Sequence, residues 1–367
     1  DTIDKWKSLE IDSASDQQLL AGVRELAIAD ARYWFTISMM VASAKVTDGL
    51  LNYYLQSWLV PGNLTSGMFL RGFPSKTIDA QVDLEAIAMR IRADESLCEL
   101  VTTSPIGGLL DKLRQDPRAR SVSKDLQAYF ANYGHQVYNL DFAEPTQGED
   151  PAAVLMSLWA LVNRDGPDAR ARQAELVQER DSLIEQTLSS LGLIRRWLFR
   201  KFLSWAQSFG PCREDALFYM GAAWSTLRRL ALELGRRQVT VGTLATPDDV
   251  FYLQSAELVE ASETRCVGRA RADLRQTALK RRELRASRQR LHPPPIIPLE
   301  SRWQVGPFDM TVWETQKRNA SDADTLLGFA VSPGTVTGVA TVILSPADFE
   351  QMRPDTILVC PTTTPAW

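Results

Sequence analysis

Histidine is nearly missing: the 367 residues hold two, His135 and His292. That count excludes a multi-histidine metal site and a histidine-rich catalytic cluster. Cysteine is also scarce. Cys98, Cys212, Cys266 and Cys360 stand 114, 54 and 94 positions apart, so no CxxC pair exists to grip zinc or run dithiol exchange. A reduced, cytoplasmic chain without a metal site is the simplest reading. Long apolar runs are lacking too. The most apolar stretch, Tyr33 to Val46, covers roughly 14 residues where a bilayer needs ~20, and Lys45 lies at its end; it predicts a buried helix and no membrane contact. No signal peptide is visible after Asp1, and a start other than Met reads as a piece of a longer protein. No GxxxxGK[ST] run is present to cradle a nucleotide, and no GxSxG elbow supports hydrolase chemistry.

What remains is ordinary globular composition, 45% hydrophobic and 23% charged, with a formal net charge of −4. Such a chain is long enough for about two domains of ~150 residues. Its charge is too small to attract nucleic acid or a membrane by its overall field.

Proline divides the chain. Nine of the 19 prolines precede His292 and ten fall in the last 75 residues. In the first part, breaks at Pro61-Gly62, Pro74, Pro105, Pro117, Pro145, Pro151, Gly166-Pro167 and Pro211 separate helical patterns, as when proline ends helices. Ser15 followed by Gln18 fits a capping box, after which Leu19, Val23, Leu26, Asp30, Tyr33, Ile37 and Val41 recur at helical spacing. Further helical patterns cover Leu84 to Ile91, Val154 to Val162 and Leu191 to Leu203. A last one runs from Asp248 to Arg290 with an apolar seam at Val267, Ala270, Leu274, Ala278 and Leu284. Residues 1–291 therefore read as a multi-helix bundle. The triple proline Pro293 to Pro295 favours polyproline II and opens a stiff linker over 292–327. From 328 to 367 the pattern is β-like, with Val339 to Leu344 and Thr356 to Val359 as strands around a turn at Pro346.

The C-terminal residues carry a resemblance. Val331-Ser332-Pro333-Gly334-Thr335, Thr337-Gly338-Val339-Ala340, Ser345-Pro346-Ala347-Asp348-Phe349, Asp355 to Val359 and Thr362 to Trp367 resemble the start of the swivelling phosphohistidine domain of phosphoenolpyruvate-utilizing enzymes. The helical part agrees. Tyr133-Gly134-His135, Asp141, Pro145, Glu149-Asp150-Pro151, Arg213-Glu214, Asp248 to Leu253 and Glu257-Leu258 are similar to the central domain of the rifampicin phosphotransferase and phosphoenolpyruvate-synthase-like branch. The resemblance implies a mainly α acceptor-binding domain followed by the beginning of a small β-rich (α/β) swivelling domain. It also implies an ATP-grasp module that uses ATP and Mg outside this chain, and a carrier histidine beyond Trp367. Neither His135 nor His292 is equated with that histidine, and the piece alone is expected to bind no ATP and to be inactive.

Within this frame the chain's own contribution is an acceptor pocket, since phosphoryl transfer relies on positioning and charge neutralisation. His135 is the catalytic candidate for accepting a hydroxyl proton, set among Tyr133 and Tyr138; a structural histidine is the alternative. Arg213 and Glu214, read as the first turn of a helix after Pro211, are candidates for clamping phosphate, against a structural ion pair. Glu149-Asp150 and Asp248-Asp249 are read as helix-start carboxylates. Aromatic residues are abundant, and Tyr133 and Tyr138, Met68, Phe69 and Phe73 in the loop-like segment Leu64 to Phe73, together with Trp205 and Phe218, are candidate substrate-binding walls for a bulky acceptor. From Arg265 to Arg290, ten basic residues face two acidic ones; a solvated face, or one docking an acidic partner, suits this better than nucleic acid.

The function read from these residues is transfer of phosphate to a small hydroxyl or carboxylate acceptor, with a bulky aromatic natural product as the expected class and rifampicin-like antibiotics one option within it. Pyruvate is disfavoured, because no TIM-barrel segment is present. A natural-product ligase that activates its substrate by phosphorylation, and a helical binding module without chemistry, are the alternatives.

Overall fold

The computed structural model describes residues 2–58, 64–138, 140–163, 169–291, 304–305, 308–309, 335–344, 351–353 and 355–360. Outside these lie His292, the triple proline, the Pro61-Gly62 and Gly166-Pro167 breaks, Ser332 to Gly334, Ser345 to Phe349 and Thr362 to Trp367.

The spine is a 43-residue helix, α2 (Asp16–Trp58), preceded by the short α1 (Thr2–Lys7). The box at its start forms as the sequence predicts: the Ser15 amide donates to Gln18 Oε1 at 2.8 Å, and the Gln18 amide to Ser15 Oγ at 3.2 Å. Leu19 and Leu26 bury one face of its first half; Leu51, Tyr54 and Leu55 bury the same face of its second half. The middle corrects the expectation of a buried helix. Between Tyr33 and Val46 only Ile37 and Ala44 are buried, while Phe35, Met39 and Val46 are exposed.

The helices enclose three cores, two of them built on this spine. The first half of α2 packs with α1, α11 (Trp224–Thr240), a 3₁₀ turn (Pro247–Tyr252), α12 (Ser255–Cys266) and α13 (Ala272–Arg288). The second half packs with α3 (Ser66–Phe69), α9 (Ala169–Ser190) and α10 (Leu193–Phe218). A third core joins α4 (Lys76–Arg92), α5 (Glu95–Thr103), α6 (Ile106–Gln115), α7 (Arg120–Tyr133) and α8 (Ala152–Asn163), with Phe218 reaching in from α10.

Two element boundaries differ from the sequence reading. Pro211 lies inside α10 rather than ending a helix. Phe199, Leu203 and Ala206 before it and Phe218 after it are buried, and the Tyr33 hydroxyl donates to the Ala216 carbonyl at 2.6 Å; packing on both sides outweighs the missing amide. The Asp248-to-Arg290 pattern is not one seam. Gly268, at φ +73°, turns the chain between α12 and α13, and only Leu274 and Ala278 of the five seam residues are buried.

The basic stretch finds its acidic partners within the chain. Arg265 reaches Asp16, Arg281 Glu257, Arg282 Asp249, and Arg285 both Asp141 and Glu144, at 2.5–2.8 Å; Arg271 pairs with Asp273 and Glu260. Burial raises the Asp16 carboxyl, but the hydrogen bonds from Arg265 and Arg237 outweigh it and hold the group below the ordinary carboxylate value. Asp249 caps the 3₁₀ turn as expected, accepting the Thr246 amide at 3.0 Å, and Asp150 accepts the Ala152 amide at the start of α8. Glu149 does not cap α8 but accepts the Thr146 amide at 2.9 Å and hydroxyl at 3.0 Å. It binds Arg228, whose side chain is 4% exposed, at 2.8 Å.

At the C-terminal end, β1 (Gln304–Val305) and β2 (Phe308–Asp309) pair antiparallel within the stretch read as linker. β3 (Val339–Val342) and β4 (Thr356–Val359) pair parallel, Val339 opposite Thr356. The architecture is mainly α-helical with a small open sheet near the C-terminus, consistent with the start of a β-rich domain. Among the described residues no helix is long and apolar enough to cross a membrane.

Candidate functional site

The segment Leu64 to Ser75 crosses from α2 to α4 with only one helical turn of its own, so its backbone must be held by neighbours. Three helices hold it. From α2, Gln56 Nε2 donates to the Leu64 carbonyl at 2.8 Å and Asn52 Oδ1 accepts the Ser66 amide at 3.3 Å. From α10, Gln207 Nε2 donates to the Phe69 carbonyl at 3.1 Å. From α9, Arg180 donates to the Arg71 carbonyl at 3.2 Å and lays its guanidinium over the Phe73 ring, 4.4 Å from the centroid. Gly72 is required where it stands: its φ is +78°, and a Cβ there would meet the Val177 amide of α9 at 2.9 Å.

Held in this way, the segment walls a cavity of about 540 Å³ against α2 and α10. Its lining is apolar at Leu70, Phe73, Pro74 and Ile78, with polar groups from Lys45 and Asp48 of α2 and Arg213 and Glu214 of α10. Arg213 and Glu214 sit in the last turns of α10, not in a first turn, and pair with each other at 2.5 Å. Few charges in an apolar concavity is the usual make-up of a small-molecule site. Three residues chosen from sequence, Phe73, Arg213 and Glu214, therefore meet at one place although 140 positions separate Phe73 from Arg213. Lys45 and Asp48 were missed. Their signal was the interruption of an apolar run by two opposite charges three residues apart.

The other candidates stand elsewhere. Phe69 is fully buried, edge-on to Phe199 at 5.4 Å, and Met68 packs against the same core. Tyr133 and Phe218 belong to the α4–α8 core, the Tyr133 hydroxyl donating to Asp83 at 2.7 Å. Tyr138 is buried and donates to the Asp150 carbonyl at 2.8 Å. Burial raises the hydroxyl pKa of both tyrosines well above the ordinary phenol value. Trp205 lies on α10 beside Phe202, with Lys201 Nζ 5.5 Å from its ring.

His135 follows α7 and is half-buried. Its Nε2 lies 3.1 Å from the Phe218 carbonyl, which requires that nitrogen to carry the proton, and its ring stacks on Tyr219 at 6.2 Å. Burial pushes its pKa below the ordinary histidine value, and hydrogen bonds to the Phe218 and Asn132 backbone only partly offset this. It is not among the residues lining the cavity.

A second groove, about 1290 Å³, runs between the start of α2 and α12, walled by Leu20, Val23, Ile28, Phe251 and Leu258. None of the sequence-chosen site residues lines it. Among the described residues no group of three or more His, Cys, Asp or Glu side chains could hold a metal ion.

Comparison with known proteins matches residues 36–214 to the family model for the rifampicin phosphotransferase fourth domain, a span that contains every lining residue of the smaller cavity. A rifampicin phosphotransferase of a Streptomyces species is 28% identical over 86% of this chain and 36% of its own length. An uncharacterized phosphotransferase of Bacillus subtilis, YvkC, is 22% identical over 81% of the chain and 35% of its own. Chondramide synthase of Chondromyces crocatus is 25% identical over 81% of the chain, which is 8% of that protein. The chain spans about a third of the length of the phosphotransferases it matches. Over part of its length, and at low to moderate identity, it is homologous to the rifampicin phosphotransferases.

Proposed function

We propose that the chain is the acceptor-binding part of an ATP-dependent phosphotransferase that works through a phosphohistidine carrier. In this reading ATP-grasp and complete swivelling modules of the same protein supply the charged phosphoryl group, using ATP and Mg. The acceptor, a small and bulky aromatic hydroxyl or carboxylate compound, binds in the cavity between α2, the 64–75 segment and α10. The observation that carries this is the convergence of Phe73, Arg213 and Glu214 on one apolar hollow inside the span similar to rifampicin phosphotransferases.

The chemistry follows from the side chains. The acceptor oxygen attacks phosphorus as the N–P bond of the carrier breaks, and the imidazole leaves with the bonding electrons and takes up the proton that a hydroxyl acceptor gives up. Arg213 offers a planar fork of N–H donors to the transferring oxygens, and Glu214 fixes that fork. Leu70, Phe73 and Ile78 exclude water that would otherwise hydrolyse the carrier. His135, with Nε2 spent on the Phe218 carbonyl, positions the end of α10 on which Arg213 rides; it acts as a base only if it leaves that carbonyl.

The test uses the full-length protein, labelled ATP and a panel of hydroxylated aromatic compounds that includes rifampicin. Arg213→Ala is expected to leave carrier phosphorylation intact and to slow transfer to the acceptor by about 10²–10³-fold, the loss typical of one preorganised charge donor. Equal loss of both steps, or unimpaired transfer, contradicts the assignment. A second reading, a domain of a natural-product synthase that activates its substrate by phosphorylation, is favoured by the likeness to chondramide synthase; product analysis in the same assay separates the two.

A further inference from the structure

The middle of α2 carries an apolar stripe on the side opposite its core. Ile28, Phe35, Met39, Val46 and Tyr53 recur at intervals of seven, four, seven and seven residues. All are exposed, Phe35 at 74%, Met39 at 61% and Tyr53 at 60%. The buried positions Leu26, Ile37, Ala44 and Leu51 lie on the opposite side of the helix. In heptad terms Ile28, Phe35, Ala42 and Gly49 are d positions and Arg32, Met39, Val46 and Tyr53 are a positions, a seam of roughly 39 Å at 1.5 Å per residue.

The flanks are prepared for close contact. The positions beside the seam are Ala29, Thr36, Ser43 and Leu50 on one side and Ala31, Ser38, Lys45 and Asn52 on the other, so they hold no carboxylate and one cation. The hydroxyls of Thr36, Ser38 and Ser43 donate to the Arg32, Trp34 and Met39 carbonyls of their own helix at 2.7–3.1 Å, so no donor on these side chains is left to be buried unpaired.

We infer that α2 pairs antiparallel with α2 of a second copy of this chain. In an antiparallel pair a positions meet d positions, and here large residues meet smaller or complementary ones: Met39 faces Ala42, Phe35 faces Val46, Tyr53 faces Ile28, and Arg32 faces Gly49, where the missing side chain leaves room for the guanidinium to reach water. Lys45 faces Ser38. The parallel arrangement would place Arg32 against Arg32 and Gly49 against Gly49, a like-charge clash and a void. Five exposed large side chains from each copy, from Val46 at 38% to Phe35 at 74%, offer on the order of 1,000 Å² of shared surface, the lower range of specific interfaces. Asp48 and Arg213 of the cavity lie off this seam, while Lys45 flanks it and stands at the edge shared by the seam and the cavity; the pairing does not depend on the acceptor reading.

Sedimentation of the chain, with circular dichroism as a folding control, tests this. The wild type is expected at twice the chain mass at tens of micromolar. Phe35→Glu and Val46→Lys, both at exposed positions, are each expected to raise the dissociation constant at least tenfold. The double variant F35E/V46K is expected to restore the dimer, because residue 35 meets residue 46 of the other copy. A wild-type monomer at these concentrations, a dimer indifferent to V46K, or a double variant that stays monomeric overturns the proposal.

Discussion

The imidazole of His135 lies against Phe218 and Tyr219 with Nε2 on a backbone carbonyl, and burial keeps it neutral. Its folded pKa is below the ordinary value of 6.5, so the unfolded chain takes up a proton first as pH falls. The stability it contributes is whole above pH 6.5 and is lost as pH drops from there through the folded pKa. Denaturant titrations between neutral pH and mild acid should show this decline, and His135→Gln should flatten it; an unchanged slope would mean that the ring is not held neutral. The sequence made His135 conspicuous because histidine is rare, but rarity says nothing about which way a ring faces. Arg228 is the converse. Nothing marks it in sequence, yet it binds Glu149, donates to the Phe142 carbonyl at 2.8 Å and stacks on Phe251 at 4.6 Å. Its replacement by Met leaves the Phe142 carbonyl without this donor, while Glu149, partly exposed, keeps its hydrogen bonds from Thr146, and should cost about 1–3 kcal/mol of unfolding free energy; an unchanged stability would show the pair to be dispensable.

Helices with a clean apolar face and a proline or capping residue at the end were legible before any coordinates: the α2 start at Ser15, α4 around Leu84 to Ile91, and α8 after Pro151. Local chemistry decides those boundaries. Long-range packing decides α10, where burial on both sides of Pro211 carries the helix through a residue that lacks the amide and crowds the Gln207 carbonyl. Pro211→Ala should therefore restore a hydrogen bond and raise stability by about 1–3 kcal/mol in thermal or denaturant unfolding; a loss of stability would show that the ring's packing in the cavity wall outweighs the repaired backbone. The apolar run in α2 misled for a related reason. Hydrophobicity over Tyr33 to Val46 marks a helix that needs covering, and the sequence of one chain cannot say which of its faces another element of that chain will cover.

For the molecule as a whole, one long helix with a core at each end leaves hollows where its neighbours diverge. The smaller lies at the 64–75 segment and the larger between the start of α2 and α12. The first is the proposed acceptor site, and the sequence alone could name three of its walls but not that they meet. Hydrogen exchange of the chain with and without rifampicin or another hydroxylated aromatic acceptor tests this most directly. Protection is expected at residues 66–75, around Lys45 and Asp48, and at 210–214. Protection confined to residues 16–31 and 250–266, or none along the chain at saturating acceptor, would contradict it.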